Sequence, residues 1–541
     1  NNSIISNFVF EFKPGLFLSS ILEGKSLILK NLSNLPTIVF ERFNELFSGE
    51  HSLTLQEDIN NTFTKENTNR KLSKFNDVFR VFGTCPPNSF TKLSEAVLSR
   101  FTVIYTHQYQ PKDQKKVLYF LDNLKADQSF IDYVINFSEQ LKNEQSIKKS
   151  ITFIQMINIV EMHSKLVLSQ KSIDQKDLLA TVLYRIVLGI LEKRDRMKGK
   201  LREKINNVFY EIGIPLRHEL TSPFNENPIY VTTENGIKIV KSKITNIAIE
   251  SPTAHEIENN NCTFTKLFVE MVETIHLGLA SNTPIILEGT PGQGKQTAIK
   301  YIADTLGYDV INIMISQSTK ADDLLGKLNI SYDNNHNIRV EIIKTKLVEA
   351  IESESKAKSS IIVFHNINHA TSAVLEVLQT IFDPHESNIC LTNGSLIPKR
   401  KLNLIGIYNV QNGYSNRSNL PSSLIYSSLY YIVNNPTKDE LQNVIRTLFK
   451  NTEFQDEWTS FYSSFNLTNK IAKENNATSI LTLNDVVKYI IFRKATFSKI
   501  DKDIIAQMIF AYRFINEETI KEVKKQINVK DMNFSPSFTY D

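Results

Sequence analysis

The sequence predicts an α/β fold, in which a three-layer module with a parallel sheet is followed by a smaller helical subdomain. Three observations support this prediction. A glycine-rich loop lies between a short apolar run and an amphipathic helical pattern. Further apolar runs then alternate with helical patterns, which is typical of a parallel sheet covered by helices on both faces. After about residue 437 the strand patterns end and helical periodicity continues alone.

The glycine loop is the stretch EGTPGQGKQT, residues 288–297. The run TPIILEG before it (Thr283–Gly289) predicts a buried strand, and KQTAIKYIADTLGY after it has apolar residues at helical spacing. Strand, glycine loop and helix in this order favour a phosphate-binding loop, whose backbone N–H groups form a nest at a helix N-terminus. The predicted nucleotide-binding residues are Gly289, Thr290, Pro291, Gly292, Gln293, Gly294, Lys295, Gln296 and Thr297.

One position of this loop departs from the usual pattern. The residue after Lys295 normally supplies a hydroxyl ligand for Mg²⁺, and here it is Gln296. A glutamine amide fits the compact octahedral shell of Mg²⁺ poorly, and Thr297 points about 100° away around the helix. The sequence therefore predicts that the loop binds ATP or ADP but lacks the usual hydroxyl that coordinates Mg²⁺. Substitute metal ligands stay open, namely Thr297, Asp322 and Asp323.

Two further strands are predicted at SSIIVFHNINHA (Ser359–Ala370) and LNLIGIYN (Leu402–Asn409), with the helix SAVLEVLQTIF between them. The first of these normally ends in acids that hold Mg²⁺ through water and polarise the attacking water. Here the two positions are His365 and Asn366, and no second ligand lies at metal spacing from the histidine. Asn409 ends the other strand and is the predicted sensor-like catalytic residue, because a polar side chain there can reach a phosphate or the attacking water.

The first part of the chain repeats this order. SLILKNLSNLPTIVFERFNELF (Ser26–Phe47) has the strand–turn–helix pattern of SIIVFHNINHATSAVLEVLQTIF, with an offset of 335 between Lys30 and His365. A weak repeat at a nearly constant offset indicates two copies of one module. The first copy has no glycine loop, and the chain begins with Asn1 rather than Met. We therefore expect a fragment that begins inside a module.

Polar stretches and changes of periodicity set the expected boundaries. Residues 51–73 and 216–262 are polar and are predicted as loops or linkers, with a short strand at NPIYVTT. The predicted parts are 1–110, the C-terminal half of a degenerate large domain; 111–215, a helical small domain; 216–437, a large domain with the glycine loop; and 438–541, a helical lid domain.

Composition limits the classes of function. The chain has 62 basic and 58 acidic residues, a balance that does not indicate nucleic acid or a membrane as the main ligand. The basic run Glu192–Lys204 is predicted to be a solvated helix face. No signal peptide and no apolar run long enough to span a membrane are found. Cys85, Cys262 and Cys390 lie too far apart for a metal motif or a disulfide framework, which fits a reducing compartment.

Several stretches together resemble the midasin family of dynein-related AAA+ proteins. ILEGTPGQGKQTAIKYIADTLGYDVINIMISQSTKADDLLG is similar to the phosphate-loop region of midasin modules. AVLEVLQTIFDPHES and NRSNLPSSLIYSS are similar to features of the sixth module, and TKLSEAVLSRFTVIY is similar to the fifth. The resemblance covers nearly the whole chain in patches. It implies AAA+ modules, here the second half of module five followed by the whole of module six.

The resemblance also implies a function for the parent protein. Midasins form a six-module ring in one polypeptide, an ATPase that strips assembly factors from large-ribosomal-subunit precursors. The implied partners are the other modules of the ring, the pre-ribosomal particle and its assembly factors. The implied location is the nucleus, in the nucleolus or nucleoplasm. Arg100, in LSEAVLSRF, becomes a candidate arginine finger toward a neighbouring module.

Departures from the family pattern argue for a weak site in this module. Gln296, His365, Asn366, Ser427 and Asn484 replace the metal-binding, water-polarising and arginine positions. Their loss removes most of the charge stabilisation of phosphoryl transfer, so we expect nucleotide binding with little or no hydrolysis. Two alternatives stay open. One is a purely structural ring segment with a relic loop. The other is a dynein-type motor module, which sustained heptads in the flanking chain would support.

Overall fold

The computed structural model divides the chain into two compact units, Asn1–Gln108 and Tyr109–Asp541, and each is described by itself. The described residues are 15–35, 39, 44–47, 52–54, 62–64, 78–86, 90, 93–107, 109–121, 128–143, 151–170, 173–191, 200–213, 227–234, 236–256, 263–332, 338–353, 359–392, 394–399, 402–409, 420–450, 452–475, 481–495, 502–514 and 516–527.

The unit Asn1–Gln108 is a small α/β arrangement. Its described elements are helices Leu16–Glu23, Asn44–Phe47 and Glu95–Leu98, a 3₁₀ turn at Leu32–Asn34, and strands β1 (Ser26–Leu29), β2 (Ser52–Thr54), β3 (Thr62–Thr64) and β4 (Arg80–Gly83). Strands β1 and β4 pair in parallel, and β2 and β3 pair antiparallel. The prediction of loop structure over residues 51–73 is therefore wrong for these two short strands. Leu53 of β2 is buried in an apolar cluster with Leu18, Ile21 and Leu46, which the polar composition of this stretch does not indicate.

Five helices open the unit Tyr109–Asp541, in the part that the structure describes up to residue 213. Their bounds are Pro111–Leu121, Gln128–Asn143, Phe153–Ser169, Gln175–Leu191 and Lys200–Glu211. The third begins with a capping box, in which the Thr152 hydroxyl accepts from Gln155 N and the Gln155 side chain accepts from Thr152 N. Buried apolar residues of these helices share one core with the sheet described below.

A three-stranded antiparallel sheet follows, with strands β5 (Ile229–Glu234), β6 (Ile237–Ser242) and β7 (Ala248–Glu250) in that order. The short strand expected at NPIYVTT is confirmed as β5. The expectation that the rest of 216–262 is linker is wrong for 237–250. Alternating apolar residues there bury Val240 and Ile247 completely. Burial on one face is what fixes the register of such a sheet.

The rest of this unit carries the predicted parallel sheet. Its strands in chain order are β8 (Ile285–Gly289), β9 (Asp309–Met314), β10 (Lys327–Tyr332), β11 (Ile338–Ile343), β12 (Ser360–His365), β13 (Asn388–Cys390), β14 (Leu396–Pro398), β15 (Asn403–Asn409) and β16 (Leu429–Ile432). Five of them form one sheet in the order β16-β8-β15-β12-β9, with every neighbouring pair parallel. Strands β10–β11 and β13–β14 form two separate antiparallel hairpins.

Helices cover both faces of this sheet, which confirms the three-layer prediction. In β8, Ile285 and Leu287 enter the core shared with the N-terminal helices, while Ile286 enters a second core. Alternate residues of a strand point to opposite faces, so the sheet lies between two apolar layers. The helices of this region are Lys266–Ala280, Lys295–Leu306, Asp322–Leu325, Lys346–Ser353, Ser372–Phe382 and Ser422–Tyr426.

The last part of the chain is helical, as predicted. Its elements are helices Lys438–Lys450, Trp458–Glu474, Leu483–Ala495, Lys502–Ala506 and Glu517–Gln526, a 3₁₀ turn at Gln455–Glu457 and a π-helical turn at Gln507–Ala511. They enclose an aromatic core of their own, in which the Phe461 ring contacts the rings of Phe465, Tyr489 and Phe510. We call this part the lid.

The predicted repeat has a counterpart in backbone geometry. Asn31 and Asn366 stand 335 residues apart, and both have a left-handed φ of 57°. A 3₁₀ turn follows each of them, at Leu32–Asn34 and Ile367–His369. Strands β1 and β4 pair in parallel just as β12 and β15 do. These shared features agree with two copies of one module.

Two further findings concern membrane-spanning helices and the cysteines. Among the described residues, none of the helices is both long enough and apolar enough to cross a membrane. Cys85 and Cys390 are free thiols. Cys262 and residues 192–199, the first part of the basic run Glu192–Lys204, lie outside the described residues.

Candidate nucleotide-binding site

The glycine loop joins β8 to helix Lys295–Leu306, which is the arrangement predicted from the sequence. Gly292 and Gly294 have φ of 82° and 84°, a left-handed conformation that glycine adopts without strain. A Cβ on Gly289 would lie 2.9 Å from Val433 Cβ and 3.1 Å from Val433 O, so the chain after β16 leaves no room for a larger residue there. The loop ends at a helix N-terminus, where backbone N–H groups lack intrahelical partners and favour an anion.

Lys295 is buried against this loop, with 6% of its surface exposed. Its ammonium donates to the carbonyl oxygens of Gly289 at 2.9 Å and of Thr290 at 2.7 Å. Burial lowers the pKa of Lys295 to about 8. The loop therefore holds the ammonium group beside its own backbone. A bound phosphate would there replace the water that the ammonium loses on burial.

Gln293 and Thr290 tie the loop to the segment that follows β16. Gln293 Nε2 donates to Asn434 O at 3.0 Å and to Asn435 Oδ1 at 2.9 Å. Thr290 Oγ1 donates to Asn435 Oδ1 at 3.4 Å. Because that segment leads directly into the first lid helix, the conformation of the loop is linked to the lid.

A chain of neutral side chains lies beside the loop. Gln296 Nε2 and His365 Nδ1 are 3.2 Å apart, and His365 Nε2 is 2.7 Å from Asn312 Oδ1. Both contacts fit one neutral tautomer, in which Nδ1 accepts from the Gln296 amide and Nε2–H donates to Asn312. Burial lowers the pKa of His365, which favours that neutral form. Gln296 stands where a hydroxyl is usual and His365 where a carboxylate is usual, and these two side chains are hydrogen-bonded to each other.

Asn409 and Asn366 also meet, as neighbouring ends of parallel strands should. Asn409 Nδ2 donates to Asn366 Oδ1 at 2.7 Å, and Asn409 N donates to Asn368 Oδ1 at 3.3 Å. An asparagine tolerates the left-handed conformation that Asn366 adopts. An amide takes the place where a carboxylate would polarise water, so this pair can position a ligand but cannot act as a general base.

The lid approaches the loop through the start of helix Leu483–Ala495. A Cβ on Gly292 would lie 2.8 Å from Thr482 Cβ. Asp485 caps this helix by accepting from Thr482 N at 2.8 Å, and it is held by Lys488 and Arg513, each at 3.2 Å. The lid thus presents an ordered helix N-terminus directly against the glycine loop.

Three other residues that the sequence singled out have local surroundings of their own. Arg100 belongs to the unit Asn1–Gln108, and its Nη1 donates to Ala96 O of the preceding helix Glu95–Leu98. Ser427 Oγ donates to Leu424 O at 3.2 Å. Asn484 is exposed in the first turn of its helix. Among the described residues, neither the Ser427 nor the Asn484 side chain forms a hydrogen bond with the glycine loop.

Asp322 and Asp323, two of the substitute metal ligands left open by the sequence, belong to no metal-binding cluster of acidic, His or Cys side chains in the described part of the chain. Asp323 accepts from Lys320 N at 2.8 Å and pairs with Lys327 at 2.5 Å, and these contacts lower its pKa. Thr297 is exposed on helix Lys295–Leu306. Within the described part of the chain, His, Cys, Asp and Glu side chains form no group of three or more that could hold a metal.

The sequence alone did not identify three of the contacts. Asn312, Asn435 and Thr482 each touch a predicted site residue, yet they lie 15 to 185 positions beyond Thr297, where the loop ends. A polar residue inside the apolar strand pattern of DVINIM was the available signal for Asn312. Nothing local marks Asn435 or Thr482, because their role comes from the folding of the lid onto the loop.

A cleft of about 550 Å³ extends from this chain along the edge of the sheet. It lies between β9 and helix Lys295–Leu306, and Gln296, Asn312 and His365 are part of its lining. Charged side chains of both signs and apolar side chains complete the lining, namely Lys300, Asp304, Asp309, Ile299, Tyr308, Val310, Met314 and Val363. The neutral chain therefore borders a cleft of mixed polar and apolar character.

Comparisons with known proteins agree with this geometry. Residues 284–425 match the model of the AAA domain of the dynein-related subfamily. Midasin from Giardia intestinalis is 26% identical over 209 residues, which are 38% of this chain and 4% of that protein. Midasin from Dictyostelium discoideum is 23% identical over 461 residues, which are 81% of this chain and 7% of that protein. The chain thus spans only a small part of these relatives' length.

A solved structure of a candidate ATPase from Cytophaga hutchinsonii is also similar. It is 17% identical, and the alignment covers 48% of this chain and 83% of that one, with a TM-score of 0.25. A score this low carries no argument about function.

The sheet order and the glycine loop agree with the family match, so residues 284–425 are similar to an AAA+ domain of the dynein-related subfamily. Such domains bind nucleotide, generally with Mg²⁺. Within that class the chain is midasin-like, since its curated relatives are midasins at 23–26% identity.

Proposed function

We propose that residues 216–541 form an AAA+ module that holds ATP or ADP and hydrolyses ATP poorly or not at all. The observation that carries this proposal is the contact of Gln296 with His365. The hydroxyl and the carboxylate that serve Mg²⁺ in such sites are both replaced, and their replacements bond to each other. The intact nest, the buried Lys295 and the Asn409–Asn366 pair support binding without the groups that drive hydrolysis.

The wider context is part of the same proposal. The chain would supply the second half of module five and the whole of module six in a midasin-like ring, with domains 1–110, 111–215, 216–437 and 438–541. The parent protein would be an ATPase that remodels large-ribosomal-subunit precursors in the nucleus, with the other ring modules and assembly factors as partners. Arg100 would act toward a neighbouring module rather than toward this loop.

Radiolabelled ATP tests the proposed function of the module. The 541-residue chain is incubated with γ-labelled ATP, protein-bound and free label are separated, and the bound nucleotide is extracted. The proposal expects bound label that remains ATP over many minutes. Rapid release of phosphate by the chain, lost in Lys295→Met, would contradict it. If no label is retained above that of Lys295→Met, the structural alternative with a relic loop is favoured.

The parent's role is tested on the endogenous protein. Affinity purification of the full-length protein that carries this chain, followed by sequencing of co-purified RNA, should recover precursors of large-subunit ribosomal RNA. Recovery of microtubule proteins without such RNA would favour the dynein-type alternative.

A further inference from the structure

We propose that this site binds its nucleotide without a divalent cation, and that the chain Gln296–His365–Asn312 fills the place where AAA+ domains hold Mg²⁺. This inference rests on the proposed function, because it concerns how a nucleotide in the same loop is held. It predicts a site selective for metal-free nucleotide.

The donor set does not fit Mg²⁺. This ion requires oxygen ligands in a nearly ideal octahedron at about 2.0–2.1 Å. The His365 Nδ1 lone pair accepts from the Gln296 amide at 3.2 Å, and Nε2–H donates to Asn312 at 2.7 Å. The ring therefore uses both nitrogens within the chain. The described residues provide no cluster of three or more His, Cys, Asp or Glu side chains that could replace it.

The replacement of carboxylates by His365 and Asn366 also favours binding of a nucleotide that carries no metal ion. Carboxylates beside the phosphates would repel them unless a cation lay between. Here His365 is neutral through burial, and an amide stands at Asn366, bonded to Asn409 at 2.7 Å. The charge of the phosphates would instead be offset by Lys295 and by the N–H groups of the loop. Replacing carboxylates with neutral groups at these positions thus has two effects. It removes ligands for Mg²⁺, and it removes the repulsion between carboxylates and phosphates.

Selectivity between nucleotides follows from solution chemistry. A nucleotide that binds as the free anion must first lose any Mg²⁺ it carries. ATP has one more phosphate charge than ADP and holds Mg²⁺ more tightly, so added Mg²⁺ should weaken ATP binding more than ADP binding. In a magnesium-containing compartment the module would then retain ADP in preference to ATP.

The test is equilibrium binding of a fluorescent ADP to the 541-residue chain, in EDTA and in millimolar Mg²⁺. The double variant Gln296→Thr/His365→Asp restores the hydroxyl and carboxylate. The matched control is His255→Asp, which carries the same charge change. His255 N bonds to Thr305 O, at the far end of helix Lys295–Leu306 and about 15 Å from the loop.

The expected result is binding by the unmodified chain in EDTA that Mg²⁺ leaves unchanged or weakens. The double variant should lose about tenfold or more in affinity in EDTA and regain it with Mg²⁺, while His255→Asp behaves like the unmodified chain. Binding by the unmodified chain that requires Mg²⁺ would overturn this inference and leave the proposed function standing. No binding in either buffer would overturn the proposed function, and this inference with it.

Discussion

Lys295 combines burial with a positive charge, and its ammonium is held by two backbone carbonyls of the loop. A buried cation that has no carboxylate among its hydrogen-bond partners lowers the stability of the fold. Its presence here therefore indicates a function. Burial is also the cause of its low pKa of about 8. At the scale of single residues, this is the clearest sign that the loop is kept for an anion.

Replacing this cation tests that interpretation. Lys295→Met preserves the length and apolar stem, so we expect little or no loss of folding stability but at least a tenfold loss of affinity for ADP. Lys300→Met is the control, because Lys300 is exposed on the same helix. Titration calorimetry gives affinity and chemical unfolding gives stability. Equal affinities of the two variants would refute a role for Lys295 in binding.

The pH dependence of binding follows from the same residue. Only the ammonium form attracts phosphate, and the pKa of Lys295 in the ligand-free chain is about 8. A bound phosphate raises that pKa, so affinity should be constant below pH 8 and fall by up to about tenfold per unit above it. Fluorescent ADP titrations from pH 7 to 9.5 measure this. Lys295→Met should give a flat profile, and an equal slope in both proteins would show that another group is responsible.

At the scale of elements, the lid and the loop meet at Gly292. Its φ of 82° excludes most residues, and an added Cβ would lie 2.8 Å from Thr482 Cβ. The same loop is tied through Gln293 to Asn435, which lies three residues before the first lid helix. Two separate contacts therefore couple the lid to the phosphate loop.

Gly292→Ala measures the cost of that contact. The control is Gly213→Ala, since Gly213 has φ of 75° but open space where its Cβ would be. Both variants carry the left-handed penalty of about 1–2 kcal/mol. Gly292→Ala should cost about 1 kcal/mol more and weaken ADP binding, because the lid must shift. Chemical unfolding compares the two, and identical losses of stability would show that the lid contact is not tight.

The sheet and its helices were predictable from the sequence because apolar runs and helical periodicity report burial directly. The glycine loop, Asn409 and the replaced acids could also be placed from strand ends. The pairing of Gln296 with His365 could not, because it depends on which strands are neighbours in the sheet. Strands β6 and β7 were missed because polar residues on their exposed face hid a weak apolar alternation.

At the scale of the whole molecule, a buried junction joins three parts of the unit Tyr109–Asp541. Glu273, on helix Lys266–Ala280, is 1% exposed and accepts from Ser242 Oγ of β6 at 2.8 and 2.7 Å. Arg185, buried in helix Gln175–Leu191, lies close enough to interact with its charge. Burial is nevertheless the larger effect, and it raises the pKa of Glu273 to about 7.

This raised pKa makes a prediction about stability. The folded chain holds a proton on Glu273 that the unfolded chain releases near pH 4.5, so stability from this group is lost as pH rises from about 4.5 to 7. Glu273→Gln should remove that loss, which is on the order of 2–3 kcal/mol. Unfolding free energies at pH 5 and pH 8 give the test, with exposed Glu250→Gln as control. A variant with the unmodified chain's pH dependence would contradict it.

The central claim is that the module binds nucleotide without hydrolysing it. Calorimetric titration of ATP and ADP into the 541-residue chain tests this most directly, with phosphate release measured in parallel. We predict micromolar binding of nucleotide that Lys295→Met abolishes, with no phosphate released above background. Absence of any binding heat would contradict the claim by leaving the loop without a ligand. Phosphate release that depends on Lys295 would contradict it by showing an active site.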